Sequence, residues 1–478
     1  MLAGLVGDDV AADWFAAPFV VGELSPVATP APAARRWIVE LSPVALAASP
    51  TVAAAAEVIA AAVPGAALVR GLGSRGQVVI TAATTAAELA ANRAFASVAA
   101  DDELVPLAVV TPNDPRYASG QLWGLNNTGI TGLADADIDS PEAWSLTTGS
   151  ADVVVAVIDG GIDTSHPDLT PNIWVNPGEI AGNRIDDDGN GFVDDVTGWD
   201  FANRDGTVFD VGDNEHATHV AGTIAARGND GRGVVGVSWL TKIMPLKFIS
   251  PTTSFTSDAI SALNYAVMMR QRGVNIRVVN ASWGSTVSNA SLEAAINRAG
   301  AAGIIVVASA GNIGSDDDAT SAPNYPSSYD SPAIIAVAAS DASDQLWTSS
   351  NYGRSRVDLA APGVTIVSTV PGNAYAARTG TSMAAAFVSG TAALAVSINP
   401  GLTVAALRAT LLEGVDPKVA MSGKLATGGR LNAERTVRLA ASQRPIDLAA
   451  GDTVIDDLNR IPDTIVVHPN LLRQLRRR

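Results

Sequence analysis

Apolar, β-branched runs alternate with helix-like stretches along the central part of the chain. The runs that predict strands lie at 153–158, 242–248, 274–280, 304–309 and 334–338. Helical periodicity is found between them, near 219–226, 257–272 and 291–301. Strands without a polar face, separated by helices, are typical of a parallel sheet that is covered on both sides. The pattern therefore predicts a three-layer α/β domain that binds ligands beyond the carboxyl ends of its strands.

A second pattern occupies residues 35–110. Its strand-like and helix-like segments lie, in order, at 37–41, 52–63, 67–81 (two strands), 86–98 and 104–110. This β-α-β-β-α-β order predicts a small α+β domain of the ferredoxin-like type. Residues 1–34 end in a Pro- and Ala-rich stretch and are expected to form a flexible leader, and the polar stretch 111–116 an exposed hinge. Residues 111–440 then form the large domain, and 441–478 a C-terminal extension without an assigned role.

Composition narrows the classes of partner. The 478 residues are 47% hydrophobic and 17% charged, so a sizeable core can form. The net charge of -17 argues against nucleic acid and anionic membrane surfaces, whereas carboxylate clusters could hold cations. No apolar run approaches the ~20 residues of a membrane span. Cysteine is absent, which excludes disulfides and thiolate chemistry. We expect a monomer with no membrane span and no nucleic-acid partner.

Two side chains are placed where a nucleophile and a carboxylate could act. Ser382 stands between Gly380-Thr381 and the apolar stretch 384–394, so its hydroxyl lies near a helix N-terminus, which favours the negative charge of an oxyanion. The alternative is that Ser382 is only an N-cap. Asp159 directly follows the first of the strands and precedes Gly160-Gly161. A dinucleotide-binding turn would need G-x-G-x-x-G at this point, and that motif is absent.

His216 and His219 are two of only four histidines and have i, i+3 spacing. Zinc binding is one alternative, but neither H-E-x-x-H nor a cysteine accompanies the pair. The better interpretation is a general base near a helix start, with the second histidine buried as a packing residue. Asn312 follows the strand at 304–309, and its amide could donate to an oxyanion or simply occupy a turn.

The carboxylate-rich stretch 186–195 is the strongest metal signal in the chain. Oxygen ligands are offered by Asp186, Asp188, Asn190, the Phe192 carbonyl, Asp194 and Asp195. This spacing suits a hard cation. Thr197 stands where an EF-hand has its bidentate glutamate, so a short loop is expected, and a solvated acidic turn is the alternative.

Asp, His and Ser in this order, all beyond strand ends, form the subtilisin arrangement. Three motifs carry the resemblance: Val157-Ile158-Asp159-Gly160-Gly161-Ile162-Asp163 with His166-Pro167-Asp168-Leu169, His216-Ala217-Thr218-His219-Val220-Ala221-Gly222-Thr223, and Gly380-Thr381-Ser382-Met383-Ala384-Ala385. It extends from about residue 113 to about residue 432. The chain most resembles the calcium-binding, thermitase-like branch of the subtilases, which implies a subtilisin-like fold for the large domain.

The resemblance implies a serine endopeptidase that cleaves extended polypeptides through an acyl-enzyme. Ser382 would be the nucleophile, His216 the base and then the acid, and Asp159 the orienter of the imidazolium. Asn312 would donate to the oxyanion together with the Ser382 N–H. The segments Ser282-Trp283-Gly284 and Ser309-Ala310-Gly311 would line the groove for the acyl side of the substrate, and Asn324 would lie near the base of the P1 pocket.

The resemblance also bears on partners, cofactor and location. Residues 35–110 are similar to the family's propeptide, a folding aid and inhibitor, so a self-processing zymogen is expected. Calcium would stabilise the fold at 186–195, with Asp168 as a second candidate ligand. A secreted or cell-envelope protein is implied, although residues 1–23 make a poor signal peptide because they carry Asp8, Asp9 and Asp13 and no basic region.

Three departures from the family pattern stand close to the motifs. Glu215 and Ala217 flank His216, where the family usually has glycine on both sides. Ala386-Phe387 replaces the usual Pro-His, and Gly160 replaces the usual Thr or Ser. These departures leave a second interpretation open, a catalytically silent subtilase-fold module that binds peptide or its own N-terminal domain.

Overall fold

The computed structural model describes residues 35–49, 52–71, 77–84, 86–100, 109–252, 254–321 and 323–443. The chain divides into two compact units, Met1–Pro106 and Leu107–Arg478. The predicted leader 1–34 lies outside the described residues, as does nearly all of the extension 441–478.

The first unit contains a four-stranded antiparallel sheet and three helices. Its strands are β1 (Arg35–Leu41), β2 (Ala67–Gly71), β3 (Gln77–Ala82) and β4 (Phe95–Ala100), and its helices are α1 (Pro43–Ala47), α2 (Val52–Ala62) and α3 (Ala86–Ala90). The strand order in the sheet is β2-β3-β1-β4. Val39, Ile59, Ile80 and Leu89 are buried between the sheet and the helices. Apart from the short α1, the elements follow a β-α-β-β-α-β order.

The last two elements of this unit differ from the prediction. The pattern predicts a helix over 86–98, whereas α3 ends at Ala90 and the chain continues as β4. An alanine-rich stretch fits either periodicity, and a turn at Asn92 decides between them. Asn92 Nδ2 donates to the Ala62 carbonyl at 2.8 Å, and its Oδ1 accepts from Ala94 N at 2.9 Å. Tertiary contacts therefore override local propensity here. The predicted strand at 104–110 lies mostly outside the described residues.

The second unit is built on a nine-stranded sheet of order β14-β15-β11-β10-β9-β8-β5-β7-β6. The strands of this unit are β5 (Val154–Asp159), β6 (Trp199–Asp200), β7 (Lys242–Lys247), β8 (Ile276–Ala281), β9 (Ile305–Ser309), β10 (Ile334–Ser340), β11 (Leu359–Pro362), β12 (Ile366–Val370), β13 (Ala374–Arg378), β14 (Asp416–Pro417) and β15 (Gly429–Arg430). Its helices are α4 (Pro115–Ala118), α5 (Ser140–Trp144), α6 (His216–Ala225), α7 (Thr256–Gln271), α8 (Ala290–Ala301), α9 (Thr381–Ile398), α10 (Val404–Glu413) and α11 (Ala433–Ser442). Two 3-10 turns, Thr170–Asn172 and Val419–Met421, complete the described elements.

Helices cover both faces of this sheet. Val155 and Val157 of β5 pack into one core with α5, α6, α9 and α11. The alternate residues Val154, Ala156 and Ile158 pack into a second core with α7 and α8. All paired strands of the sheet are parallel except β14 and β15, which form an antiparallel pair. The predicted three-layer α/β fold with a parallel central sheet is confirmed.

Helix α9 lies inside the protein. It is the one described helix that is long and apolar enough to cross a membrane, but 89% of it is buried. A side chain at Gly390 would lie 2.6 Å from Val237 Cβ and 3.1 Å from the Ile224 carbonyl, so glycine lets α9 approach α6 closely. The apolar run that begins beside Ser382 therefore serves the core and fixes the start of α9 at the carboxyl edge of the sheet.

Candidate active site

Asp159 and His216 form a hydrogen-bonded pair at the carboxyl edge of the sheet. Asp159 ends β5 and is 1% exposed, and His216 is the first residue of α6. The distance from His216 Nδ1 to Asp159 Oδ1 is 2.9 Å. A carboxylate only accepts, so Nδ1 carries the proton and Nε2 is left as the basic nitrogen. The charge of Asp159 raises the pKa of His216, its hydrogen bond adds to this, and burial of the ring opposes it.

Gly160 leaves one oxygen of Asp159 without a donor. Its N–H donates to Asp159 Oδ1 at 2.7 Å, while Oδ2 is buried with no hydrogen-bond partner among the described residues. A side chain at position 160 would find its nearest neighbours, Asn214 Oδ1 and the Ile249 carbonyl, at 3.8 Å. A serine or threonine would therefore fit at position 160. Glycine there does not relieve a clash, and it removes the hydroxyl that could donate to Asp159.

Ser382 lies in the first turn of α9 and is joined to Ser282 by two hydrogen bonds. Its Oγ donates to the Ser282 carbonyl at 3.2 Å, and Ser282 Oγ donates to the Ser382 carbonyl at 3.1 Å. Among the described residues, the Ser382 hydroxyl is thus held by Ser282 rather than by the His216 ring. The turn before it is anchored by Gly380 N, which donates to the Gly363 carbonyl at 2.8 Å.

The amide of Asn312 has a fixed orientation. Thr381 N and Thr381 Oγ1 each lie 2.9 Å from Asn312 Oδ1. A backbone N–H can only donate, so the atom facing it must be the amide oxygen, and Nδ2 projects away from Thr381. The Asn312 side chain is exposed. Its two remaining donors are therefore available beside the first turn of α9.

The two predicted groove segments enclose Asn324. A side chain at Gly284 would lie 2.3 Å from Asn324 Oδ1, and one at Gly311 would lie 3.3 Å from Asn324 Cγ. Asn324 Nδ2 donates to the Ser309 carbonyl at 3.0 Å, and Ala310 is buried in the core. Glycine at both positions therefore lets the two segments approach the neutral amide of Asn324 closely.

Trp283 supports the strand end that carries Asp159. Its Nε1 donates to the Ile158 carbonyl at 2.8 Å, and its ring lies edge-on to Phe248 at 5.0 Å between centroids. The indole is thus directed into the protein, so the backbone at 283, rather than the ring, is what the groove segment can offer to a peptide.

Glu215 makes an ion pair that its sequence context did not reveal. Its carboxylate accepts from Arg378 Nε at 2.5 Å, and it also contacts Nη2 of the same guanidinium. Arg378 ends β13, four residues before Ser382. The side chain of Glu215 forms no cap with helix α6. The cation beside it offsets its charge next to His216.

The other departures are absorbed by packing. Ala217 is fully buried in α6, and Phe387 fills space against Gly124, where an added side chain would lie 2.6 Å from the ring.

His219 is fully buried, with Nε2 at 2.9 Å from the Ile366 carbonyl and 3.1 Å from the Ala376 carbonyl. Burial lowers the pKa of His219 to about 4, so it is a neutral donor that ties α6 to the β12–β13 hairpin.

Three carboxylates come together at the carboxylate-rich stretch 186–195. One of them, Glu179, was not predicted as a ligand. Glu179, Asp188 and Asp195 offer oxygens that all lie within 4.8 Å of one another. Asp188 Oδ1 is buried without a hydrogen bond, and its nearest cation is Arg272 Nη2 at 3.3 Å. Clustered carboxylate oxygens suit a hard cation such as calcium. Glu179 lies before the regular spacing that marks the loop, so only the folded chain brings it to the cluster.

The remaining predicted metal ligands are engaged in turns. Asp186 accepts from Asn190 N and Gly191 N, and Asp194 accepts from Asn183 N and Arg184 N. Asn190 Nδ2 donates to Asp188 at 3.2 Å and to Asp195 at 2.8 Å, while Phe192 N donates to Asn190 Oδ1. These contacts shape the loop around the three carboxylates.

Asp168 and Asp114, an acid that the sequence did not point to, each accept a hydrogen bond from the backbone of segment 229–234. Asn229 N donates to Asp114 Oδ2 at 2.7 Å, and Val234 N donates to Asp168 Oδ2 at 2.9 Å. The other oxygen of each carboxylate is buried and unpartnered. Burial raises the pKa of both acids, that of Asp114 to about 6. Asp168 remains a candidate ligand for a second cation, because carboxylate oxygens suit a hard cation.

A large part of this chain is similar in sequence to known proteins. The model of the subtilase family matches residues 150–433. Thermitase from Thermoactinomyces vulgaris is 34% identical over 329 residues, which are 69% of this chain and 99% of that protein. The thermophilic serine proteinase of Bacillus sp. (strain AK1) is 36% identical over 331 residues, 69% of this chain and 70% of its own. The solved structure of a protease from Pseudoalteromonas arctica PAMC 21717 has a TM-score of 0.54 and 28% identity, and covers 69% of this chain and 100% of that one. The predicted family is confirmed: the chain belongs to the subtilase family of serine peptidases, in its thermitase-like branch.

Proposed function

We propose that the chain is a serine endopeptidase that hydrolyses extended polypeptides through Asp159, His216 and Ser382. The observation that carries the proposal is the hydrogen bond from His216 Nδ1 to the buried Asp159, because it leaves Nε2 as the base. The same carboxylate stabilises the imidazolium that forms when the base takes a proton.

The proposed reaction begins with rotation of the Ser382 side chain from the Ser282 carbonyl to His216 Nε2. Nε2 takes the hydroxyl proton as Oγ attacks the scissile carbonyl. Asn312 Nδ2 and the Ser382 N–H then donate to the oxyanion. His216 gives its proton to the leaving amine, and water, activated by the same ring, hydrolyses the acyl-enzyme.

The groove segments fit a substrate in extended conformation. Backbone at 282–284 and 309–311 can pair with a peptide on the acyl side, as in strand addition. If Asn324 lies near the base of the P1 pocket, as we propose, its neutral amide favours uncharged P1 side chains over charged ones, because it offers no counter-ion to a buried charge.

Replacement of Asp159 by asparagine is expected to lower kcat by about 10⁴-fold. An amide facing His216 can donate to Nδ1, which moves the ring proton to Nε2 and removes the base. The measurement is peptide hydrolysis across pH, with Asp163→Asn as control, because that carboxylate caps a turn beside Ser165. An Asp159→Asn enzyme that keeps a tenth of wild-type kcat would refute the assignment of the base.

Loss of Arg378 should move the acid limb of kcat/KM to higher pH by a small amount. In Arg378→Ala, the carboxylate of Glu215 stands unpaired beside His216 and favours the imidazolium, so its pKa rises. The shift is small because the side chains of Arg378 and Glu215 are 42% and 38% exposed. The double variant with Glu215→Gln should restore the limb, and an unmoved limb at low salt would show that Glu215 does not act on His216.

We also propose that residues 35–110 serve as a propeptide-like folding aid and inhibitor. The boundary between the two units, at Pro106 and Leu107, falls in the stretch where processing is expected. Cleavage between about residues 104 and 116 should appear by N-terminal sequencing in the wild type and not in Ser382→Ala. The hinge predicted at 111–116 is not exposed throughout, because Asp114 is buried and accepts from Asn229 N. Equal cleavage in both proteins would mean that another protease acts.

Calcium is the proposed stabilising cofactor, held by Glu179, Asp188 and Asp195, with Asp168 as a second candidate ligand. The clustered oxygens and the unpartnered buried oxygens support this proposal. Export to the medium or the cell envelope is proposed from the family alone.

A further inference from the structure

Asn351 lies beneath the loop that carries Asn312 and is bonded to both of its neighbours. Asn351 N donates to the Gly311 carbonyl at 2.9 Å, and Asn351 Oδ1 accepts from Ile313 N at 3.1 Å and Ser315 N at 3.2 Å. Asn351 is only 2% exposed, whereas Asn312 is exposed. The backbone N–H of Asn351 thus holds the carbonyl of Gly311, and its side chain holds the N–H of Ile313, on either side of Asn312.

Asp317 determines how the Asn351 amide is turned. The two N–H groups at 313 and 315 require the amide oxygen to face them, so Nδ2 points the other way and donates to Asp317 Oδ1 at 3.1 Å. Asp317 is 1% exposed, and its second oxygen is buried without a partner. A charged acceptor of this kind strengthens the hydrogen bond and opposes a flip of the amide.

The surrounding backbone leaves this arrangement little freedom. Gly314 N donates to the Ser349 carbonyl at 2.8 Å, and Tyr352 N donates to the Ser315 carbonyl at 2.9 Å. A side chain at Gly311 would lie 2.6 Å from Asn351 Nδ2, so the amide is packed directly under the loop. Movement of Asn351 would therefore be passed to residues 311–315.

We propose that Asn351, anchored by Asp317, is a positioning residue that fixes Asn312 for donation to the oxyanion. The inference rests on the proposed function. It adds a residue that supports Asn312 without touching a reacting atom itself. Oxyanion donors act through preorganisation, so a loosely held donor loses much of its effect on kcat while substrate binding is hardly changed.

The test is a double-mutant cycle on kcat and KM with Asn351→Ala, Asn312→Ala and the double variant. Asn351→Ala should lower kcat at least about tenfold and change KM less than about twofold. In the Asn312→Ala background the same substitution should change kcat less than about twofold, because the group it positions is gone. A merely structural role would instead lower kcat by the same factor in both backgrounds.

Asn399→Ala is the matched control. Asn399 is also 2% exposed and bonds backbone groups, the Ala440 carbonyl and Gly401 N, but at the far end of α9. It should leave kcat within about twofold of wild type, and an equal loss in this variant would overturn the proposal. If Asn351→Ala does not fold, Asp317→Asn enters the same cycle. It should lower kcat by a smaller factor, again only while Asn312 is present.

The outcomes separate the two claims. A wild type that is no faster than Ser382→Ala contradicts the proposed function, and the inference falls with it. An active wild type with no loss in Asn351→Ala, or with no coupling to Asn312, overturns the inference alone.

Discussion

Replacing Ser382 by alanine will lower kcat for a peptide substrate by about 10⁴- to 10⁶-fold, the upper value being the scale that removal of the nucleophile has in subtilisin, a member of this family. The neighbouring hydroxyl of Thr381 is engaged elsewhere, because it donates to Asn312 Oδ1 at 2.9 Å. The residual rate should come from binding and the oxyanion donors alone.

Ser397→Ala controls for effects on helix α9. This hydroxyl lies near the other end of the same helix and donates to the Ala393 carbonyl at 2.7 Å. Its loss should leave kcat unchanged, and both variants should melt within a few degrees of wild type, since each removes one hydroxyl. A Ser382→Ala protein that retains a tenth of the wild-type rate would mean that another group is the nucleophile.

Removal of calcium should lower the melting temperature by on the order of 10 °C. A ligand that binds only the folded state at about 1,000 times its Kd contributes about 4 kcal/mol, and each kcal/mol shifts the melting temperature of a large domain by about 2–4 °C. Without a cation, Glu179, Asp188 and Asp195 repel one another within 4.8 Å. Thermal melts with calcium and with chelator measure the difference.

Neutral variants assign this effect to residues. Asp188→Asn with Asp195→Asn should remove most of the calcium-dependent shift, whereas Asp187→Asn should keep it. Asp187 lies in the same loop, but its Oδ2 is occupied by Ile180 N and Asn183 Nδ2. Any shift that survives in the double variant would belong to another acidic group, such as Asp168 or the cluster of Asp135, Asp137 and Asp139. A melting temperature that chelation does not move would show that these carboxylates only form acidic turns.

The large domain could be predicted because its strands are buried on both faces. A β-branched run such as that of β5 has no polar face, and only a parallel sheet covered by helices buries it completely. Asp159 and Asn312 each lie just beyond a predicted strand. Their placement at the carboxyl edge of the sheet could therefore be predicted from the sequence pattern.

Residues that act through contacts distant in sequence could not be predicted. Arg378 meets Glu215 across 163 positions, and Asn351 meets the loop that carries Asn312 across 36 to 40 positions. Neither has a local pattern, because a single polar residue at the end of a strand or in a turn has no periodicity. The boundary between α3 and β4 was missed for a related reason, since alanine-rich stretches fit helix and strand alike.

The most direct test of the account is labelling with an active-site-directed fluorophosphonate, followed by peptide mapping. Such a probe reacts with a serine only when a base activates its hydroxyl. We expect the wild type to be labelled at Ser382 alone and His216→Ala to remain unlabelled. Absence of label on Ser382 in the folded wild type, or equal labelling in His216→Ala, would contradict this expectation and favour a silent peptide-binding module.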